Sequence, residues 1–169
     1  MTSRKSKTQT DTIQGGAIRL DIVPPDSPEA RACREAYFDE LARRFAEGFD
    51  PEAGKASRDD DMRPPSGVFI VARREGVPVG CGGFTRLEGE FAEMKRVWTS
   101  PEARGLGIAR RILRELERLA AEAGYRAIRL DTHGSLGEAH ALYRGEGYRE
   151  IGRYNDNPYA QLWFEKRLG

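Results

Sequence analysis

Cysteine and histidine are scarce in this chain, and neither is clustered. Cys33 and Cys81 are the only two thiols among 169 residues, with no C-x-x-C pair and no zinc-like spacing. Isolated thiols of this kind point to a reducing compartment. His133 and His140 have no third ligand near them, so no metal site is expected. Charge of one sign is also lacking. Lys and Arg total 28 against 27 Asp and Glu, a formal charge of +1. That balance argues against a general nucleic-acid binder, although a local basic patch for a small phosphorylated ligand stays open. No apolar run approaches the ~18 residues that would cross a bilayer. Arg4, Lys5 and Lys7 lead into no apolar segment, so no secretory signal is read. The expectation is a cytoplasmic protein with neither membrane nor nucleic acid as partner.

What is present fits one domain. A chain of about 150 residues buries roughly 68–70% of its unfolded surface, enough for a core without metal or disulfide staples. Residues 1–16 are rich in Thr, Ser, Lys, Gln and Gly and read as a flexible tail. Residues 17–169 read as the single folded domain. Ile18, Leu20 and Ile22 alternate with polar residues as a strand does. Ser27 before Pro28 marks a helix start. The four-residue repeat Cys33, Tyr37, Leu41, Phe45 carries that helix to about residue 47. A long loop over 48–66, rich in Gly, Pro and Asp, reads as a candidate binding loop. Strands follow at 68–72, 77–87 and 91–99, with Gly80, Gly82 and Gly83 suggesting a bulge in the second. An apolar stripe predicts a helix over 106–123, closed by Gly124. A strand at 125–132, a short helix at 136–144, and strands at 148–154 and 161–168 complete the order. The strand–helix–strand unit over 91–132 requires a parallel crossover within a largely antiparallel sheet.

The sharpest local feature is Arg104-Gly105-Leu106-Gly107-Ile108-Ala109, where a strand gives way to the long helix. A helix start leaves backbone N–H groups without partners, and the helix dipole adds positive charge there. Glycines remove Cβ atoms that would block an anion. These are the elements of a phosphate cradle, and Arg104, Arg110 and Arg111 are available as full charges. The dinucleotide pattern G-x-G-x-x-G fails because Arg110 holds the third glycine position, and no G-x-x-x-x-G-K-[ST] occurs.

The segment matches [QR]-x-x-G-x-[GA] through Arg104, Gly107 and Ala109 and so resembles the GNAT superfamily of acyl-CoA-dependent N-acyltransferases. The run from Glu93 to Gly105 looks like that superfamily's fourth strand and pyrophosphate loop. Ala139-x-x-Leu142-Tyr143-x-x-x-Gly147-Tyr148 is similar to its A-x-x-L-Y-x-x-x-G-[FY] signature, and residues 163–168 resemble its closing strand. The resemblance spans residues 18–168. It implies an α+β fold: a mixed, mostly antiparallel sheet of about seven strands, helices on both faces, and splayed fourth and fifth strands. It implies acetyl-CoA as cosubstrate, an amine acceptor and a possible homodimer. Backbone at Val97, Trp98 and Thr99 would meet pantetheine. Arg104, Gly105, Leu106, Gly107, Ile108, Ala109 and Arg110 would hold the pyrophosphate, and Tyr143 would lie near the thioester sulfur. His133 is a further cofactor-contact candidate by the resemblance, although relatives often carry Asn where this chain has His133 and Leu136.

The implied reaction is direct attack of an amine on the acetyl thioester in a ternary complex. Tyr143 is the candidate acid toward sulfur. Glu93 is the first candidate base, with His133 and Glu138 as rivals. Strand alternation places Glu93, Lys95 and Val97 on one face. Glu93 also reads as an ion-pair partner, and Tyr143 as a core aromatic. The polar, aromatic segment Tyr154-Asn155-Asp156-Asn157-Pro158-Tyr159 reads as a turn that, by the resemblance, borders the acceptor end. Glu93, Tyr154, Asn155, Asn157 and Tyr159 are therefore the acceptor-site candidates. A CoA-binding sensor without turnover is the main alternative, and an interaction domain without cofactor is a second.

Overall fold

The computed structural model describes residues 9–13, 16–53 and 59–169. Eight strands form one sheet: β1 (Gln9–Ile13), β2 (Gly16–Ile22), β3 (Val68–Arg74), β4 (Val77–Arg86), β5 (Phe91–Thr99), β6 (Ala127–Thr132), β7 (Arg149–Ile151) and β8 (Leu162–Arg167). Their spatial order is β1-β2-β3-β4-β5-β6-β8-β7. Neighbours are antiparallel except β5 and β6, which run parallel. Three α-helices join them: α1 (Pro28–Arg44), α2 (Ile108–Glu122) and α3 (Gly137–Gly145). The mixed sheet with helices on both faces agrees with the sequence expectation. Part of the expected tail does not. β1 lies within it and pairs with β2 from Gln9↔Leu20 to Ile13↔Gly16. Without that pairing β2 would be an edge with a row of unpaired N–H and C=O groups.

Each helix covers its face for a sequence-level reason. Ser27 caps α1 by accepting the Ala30 N–H at 3.3 Å, with Pro28 opening the helix. Ala30 and Cys33 of α1 bury with Phe69, Val71 and Cys81 of the sheet. The helix ends at Arg44, earlier than the expected 47, because Phe45 turns extended and stacks on His133 at 3.9 Å. On the opposite face, Ile108, Ile112, Leu113, Leu116 and Ala120 of α2 join the larger core with Ile70, Phe84, Met94 and Phe164. α3 adds Tyr143 to that core.

The sheet is interrupted at one consequential place. Along β4 and β5 the register passes from Gly83↔Lys95 to Cys81↔Trp98, so two residues of β5 face one of β4. The extra residue is Arg96, at φ 61. Such a bulge bends its strand and turns the side chains beyond it over to the other face. Val97 consequently packs against the α2-side core while Trp98 packs against the α1-side core. The expected grouping of Glu93, Lys95 and Val97 on one face fails for Val97 for this reason.

β5 is also nearly free of β6. The two pair only from Phe91↔Ala127 to Glu93↔Arg129. Beyond that point they part, as the resemblance implies. The α2 face presses closely against the bulge: a Cβ at Gly82 would lie 2.8 Å from Ile112 Cγ2 and 3.1 Å from Leu116 Cδ1. Gly82→Val is therefore expected to lower unfolding stability by about 1–3 kcal/mol, measured by urea denaturation. An unchanged midpoint would mean that α2 does not pack as closely as described.

Candidate active site

The parting of β5 and β6 opens a cleft of about 560 Å³. Backbone of β5 beyond Glu93 keeps its β4 partners but has none from β6. At the far end of β5 a short 3-10 turn (Pro101–Ala103) leads through Gly105 and Gly107 into α2. Both glycines have positive φ, 82 and 75, and a Cβ on either would meet nothing within 4 Å. Gly107 is the α2 N-cap, no side chain caps the helix, and its first turn holds no acidic residue. The orphan N–H groups and positive dipole end of α2 thus face an unobstructed space. Gly105, Gly107, Ile108, Ala109 and Arg110 all line the cleft.

The arginines are less free than the sequence suggests. Arg104 pairs with Glu40 of α1 and donates to the Thr99 carbonyl at 3.2 Å. Arg110 meets Glu146 at 2.8 Å. The cradle therefore offers backbone amides and helix dipole first, with guanidinium groups already engaged at its rim. Leu106 and Ile108 turn their side chains to the core, so only their main chain is available. The fit to a pyrophosphate with a narrow arm behind it has further support. Trp98 Nε1, Thr99 Oγ1 and Thr132 Oγ1 belong to cleft-lining residues and are buried polar atoms without a protein partner.

Tyr143 of α3 and Tyr37 of α1 enter the cleft from opposite sides of the sheet. Burial pushes the Tyr37 hydroxyl up to about 12. It raises Tyr143 further, with smaller contributions from Tyr37 and Asp131. Both phenols therefore stay protonated through neutral pH. The Tyr143 ring is fixed by Tyr148 and Phe164, with centroids 5.8 and 5.9 Å away. Its hydroxyl meets no hydrogen-bond partner among the described residues. Tyr37 was missed in the sequence, where it serves only as one member of the helical repeat. The signal that could have found it is its hydroxyl, which its apolar partners in that repeat lack.

Phe45, Phe49 and Tyr159 build the remaining side. Phe49 lies 4.9 Å from Tyr159 and 5.7 Å from Phe45. The Tyr159 hydroxyl accepts the Asp50 N–H at 2.7 Å, tying the segment after α1 to the segment before β8. His133 backs this group. Its Nδ1 lies 2.8 Å from Ser135 Oγ and 3.1 Å from the Ser135 backbone nitrogen, and its Nε2 lies 2.7 Å from Glu47 Oε1. With both ring nitrogens engaged, His133 lines the cleft but has no free nitrogen for a base or for a cofactor contact.

The acceptor-side candidates divide. Asn157 and Tyr159 line the cleft, whereas Glu93, Tyr154 and Asn155 stand behind it. Glu93 is 5% exposed and pairs with Lys95 Nζ at 2.6 Å. It also accepts from Asn155 Nδ2 at 3.2 Å. Asn155 is itself held by Trp163 Nε1 at 2.9 Å. Tyr154 is pushed above its ordinary pKa by burial and by the Glu93 and Asp131 carboxylates. An ion pair and an amide hold Glu93 in the wall. Glu138, the other rival, lies on the rim and pairs with Arg44, which holds its carboxyl down at about 2. A carboxylate so stabilised is a poor base.

Comparison with known proteins follows this geometry. Residues 34–148 match the family model described as "Acetyltransferase (GNAT) family". An IAA acetyltransferase of Azospirillum brasilense is 35% identical over 78% of this chain and 88% of its own length. An uncharacterized N-acetyltransferase of Schizosaccharomyces pombe is 30% identical over 89% and 91%. Among solved structures, a Klebsiella pneumoniae protein named provisionally as an acyl-CoA N-acyltransferase superposes with TM-score 0.72 at 26% identity, covering 90% of this chain and 98% of that one. The PaiA N-acetyltransferase of Thermoplasma acidophilum, solved with coenzyme A, shares the fold at TM-score 0.68 and 16% identity, covering 88% and 99%.

The Arg44–Glu138 pair ties α1 to α3 across the cleft mouth. Because the folded carboxyl lies below its ordinary 4.5, its contribution is present above that value and is lost as pH falls toward 2. The stability difference between the native protein and Glu138→Gln should therefore shrink between pH 5 and pH 2, followed by urea unfolding. Glu138 is 64% exposed, so the difference at neutral pH should be small. A difference that grew on acidification would contradict the assignment.

Proposed function

The chain belongs to the acetyltransferase (GNAT) family, and on that premise we propose that it transfers an acetyl group from acetyl-CoA to an amine within a ternary complex. The observation that carries this reading is the juxtaposition of an uncapped α2 N-terminus, entered through Gly105 and Gly107, with the open edge of β5. N–H groups from Gly105 to Ala109 would take the pyrophosphate oxygens. Val97, Trp98 and Thr99 would offer the β5 edge to the pantetheine amides in the manner of an added strand. When bound, acetyl-CoA supplies a thioester whose carbonyl carbon accepts the amine nitrogen and whose sulfur departs.

The residues have separate tasks. A main-chain N–H near Val97 would donate to the carbonyl oxygen as negative charge develops on it. The Tyr143 hydroxyl, protonated and free, would donate its proton to the departing sulfur and regain one from solvent. Overall, one N–C bond forms and one C–S bond breaks. The amine gives up a proton, and CoA leaves as the thiol. A sensor without turnover has less support, because Tyr143 keeps an unoccupied donor in the cleft lining.

Calorimetric titration with acetyl-CoA tests the cradle. Binding is expected for the native protein and should be lost in Gly107→Glu, where a carboxylate enters the anion site. No heat from the native protein at millimolar acetyl-CoA would overturn the reading. Thiol release measured for Tyr143→Phe tests the acid. Turnover should fall about 10²- to 10⁴-fold while acetyl-CoA affinity stays within about threefold. Unchanged turnover would remove Tyr143 from its role.

A further inference from the structure

Charge pairing inside the cleft points to the kind of acceptor it takes. Five cationic residues line it, and each already has a carboxylate. Arg44 pairs with Glu138, Lys95 with Glu93, Arg96 with Asp59, Arg104 with Glu40 and Arg110 with Glu146. Three carboxylates line it: Glu40, Asp131 and Glu138. The first and last are neutralised by these arginines. Asp131 is not. It accepts from Asn155 Nδ2 at 2.5 Å and from Asn157 Nδ2 at 3.1 Å, both neutral amides, and has no cationic partner among the described residues. The two amides aim the carboxylate without cancelling its charge.

The place of this charge matters as much as its sign. Asp131 stands on β6 two residues beyond Arg129, the last residue paired with β5. It therefore lies where the strands part. It lines the same cleft as the Tyr37 and Tyr143 hydroxyls, and its charge helps to raise both. Next to it, Asn157 leads to Tyr159 and the rings of Phe49 and Phe45. This side of the cleft thus joins one uncompensated anion to a surface of flat apolar rings.

We propose that Asp131 is the acceptor-binding carboxylate, and that the acceptor is a cationic amine carried on a flat apolar body without a negative charge of its own. The inference rests on the acetyltransferase reading and names the substrate class of that site. An ammonium group would dock at Asp131, lose one proton to solvent and attack as the neutral amine, with its organic body against Phe45, Phe49 and Tyr159. Cations are also favoured over aromatic faces. An acceptor bearing a carboxylate would meet Asp131 as a like charge and would find no unpaired cation to receive it. Asp131 thereby selects and orients the amine that attacks the thioester, while Glu93, neutralised by Lys95, holds the shared Asn155 in place.

The test uses the whole chain with acetyl-CoA and three probe amines: 2-phenylethylamine, phenylalanine and methylamine. 2-Phenylethylamine should exceed phenylalanine in kcat/KM, although the two differ only by a carboxylate. Asp131→Asn should raise KM for 2-phenylethylamine about tenfold or more, the usual loss for a charged hydrogen bond. Its acetyl-CoA affinity by calorimetry should be unchanged, which also shows that the variant folds. Phe49→Ala should raise KM for 2-phenylethylamine more than for methylamine, a result independent of Asp131. Preference for phenylalanine would overturn the inference. So would an unchanged KM in an Asp131→Asn protein that still binds acetyl-CoA. Either result leaves the acetyltransferase reading standing. Failure of the native protein to bind acetyl-CoA would overturn that reading itself.

Discussion

The site depends on one irregular residue, Arg96. Its left-handed backbone adds a residue to β5 opposite β4 and bends the strand at the place where pairing with β6 ends. A left-handed conformation costs a non-glycine residue about 1–2 kcal/mol. Local contacts hold it. Its guanidinium reaches Asp59 at 3.2 Å and lies 4.9 Å over the Phe38 ring, and its carbonyl accepts the Cys81 thiol at 3.1 Å. α1 and the loop after it are thus fastened to the bulge that opens the cleft. On the far face, glycine at position 82 allows Ile112 and Leu116 to close against the same irregularity.

From that bulge the separation of duties follows. One face of the bent sheet supports α2, whose N-terminus presents free amides. The other face, with α1 and the segment before β8, supplies aromatic rings and the Asp131 carboxylate. The cleft between them is lined from both faces of the sheet, so in the proposed reaction a thioester along β5 and an amine from the α1 side would meet. Only an interrupted sheet permits this, because continuous pairing of β5 with β6 would consume the same backbone groups and fill the same space.

Electrostatics refine the geometry. The chain is nearly neutral, with 28 basic and 27 acidic residues, and the neutrality is repeated locally. Arginines expected at the phosphate cradle are already paired, so attraction there comes chiefly from the main chain. Buried or half-buried ion pairs hold the walls at Lys95–Glu93 and Arg129–Glu165, at 2.6 and 3.1 Å. Against that background a single unmatched carboxylate carries weight. Among the described residues no cation pairs with it directly, and it stands in a partly enclosed space where screening is weak.

Much of this was legible in the residues. Alternation in Ile18–Leu20–Ile22, the α2 stripe, Ser27-Pro28 and Gly124 are local signals, and they specify strands, helices and ends through short-range chemistry. Arg104, Gly107, Ala109 and the Leu142-Tyr143 segment marked the cradle and the candidate acid, because a helix start and a single phenol are recognisable from neighbours in the chain. The bulge at Arg96 was not legible. Nothing in Lys95-Arg96-Val97 announces a left-handed residue, and the reversal of Val97 depends on how β4 and α2 press on β5. Pairing was hidden for the same reason: Arg104 with Glu40, His133 with Glu47 and Arg44 with Glu138 join groups whose proximity is created by folding. The sequence by itself determined most of the elements, the candidate anion cradle and the family. Tertiary structure alone decided which charges are cancelled and which side chains reach the cleft, since both are properties of distances between segments far apart in the chain.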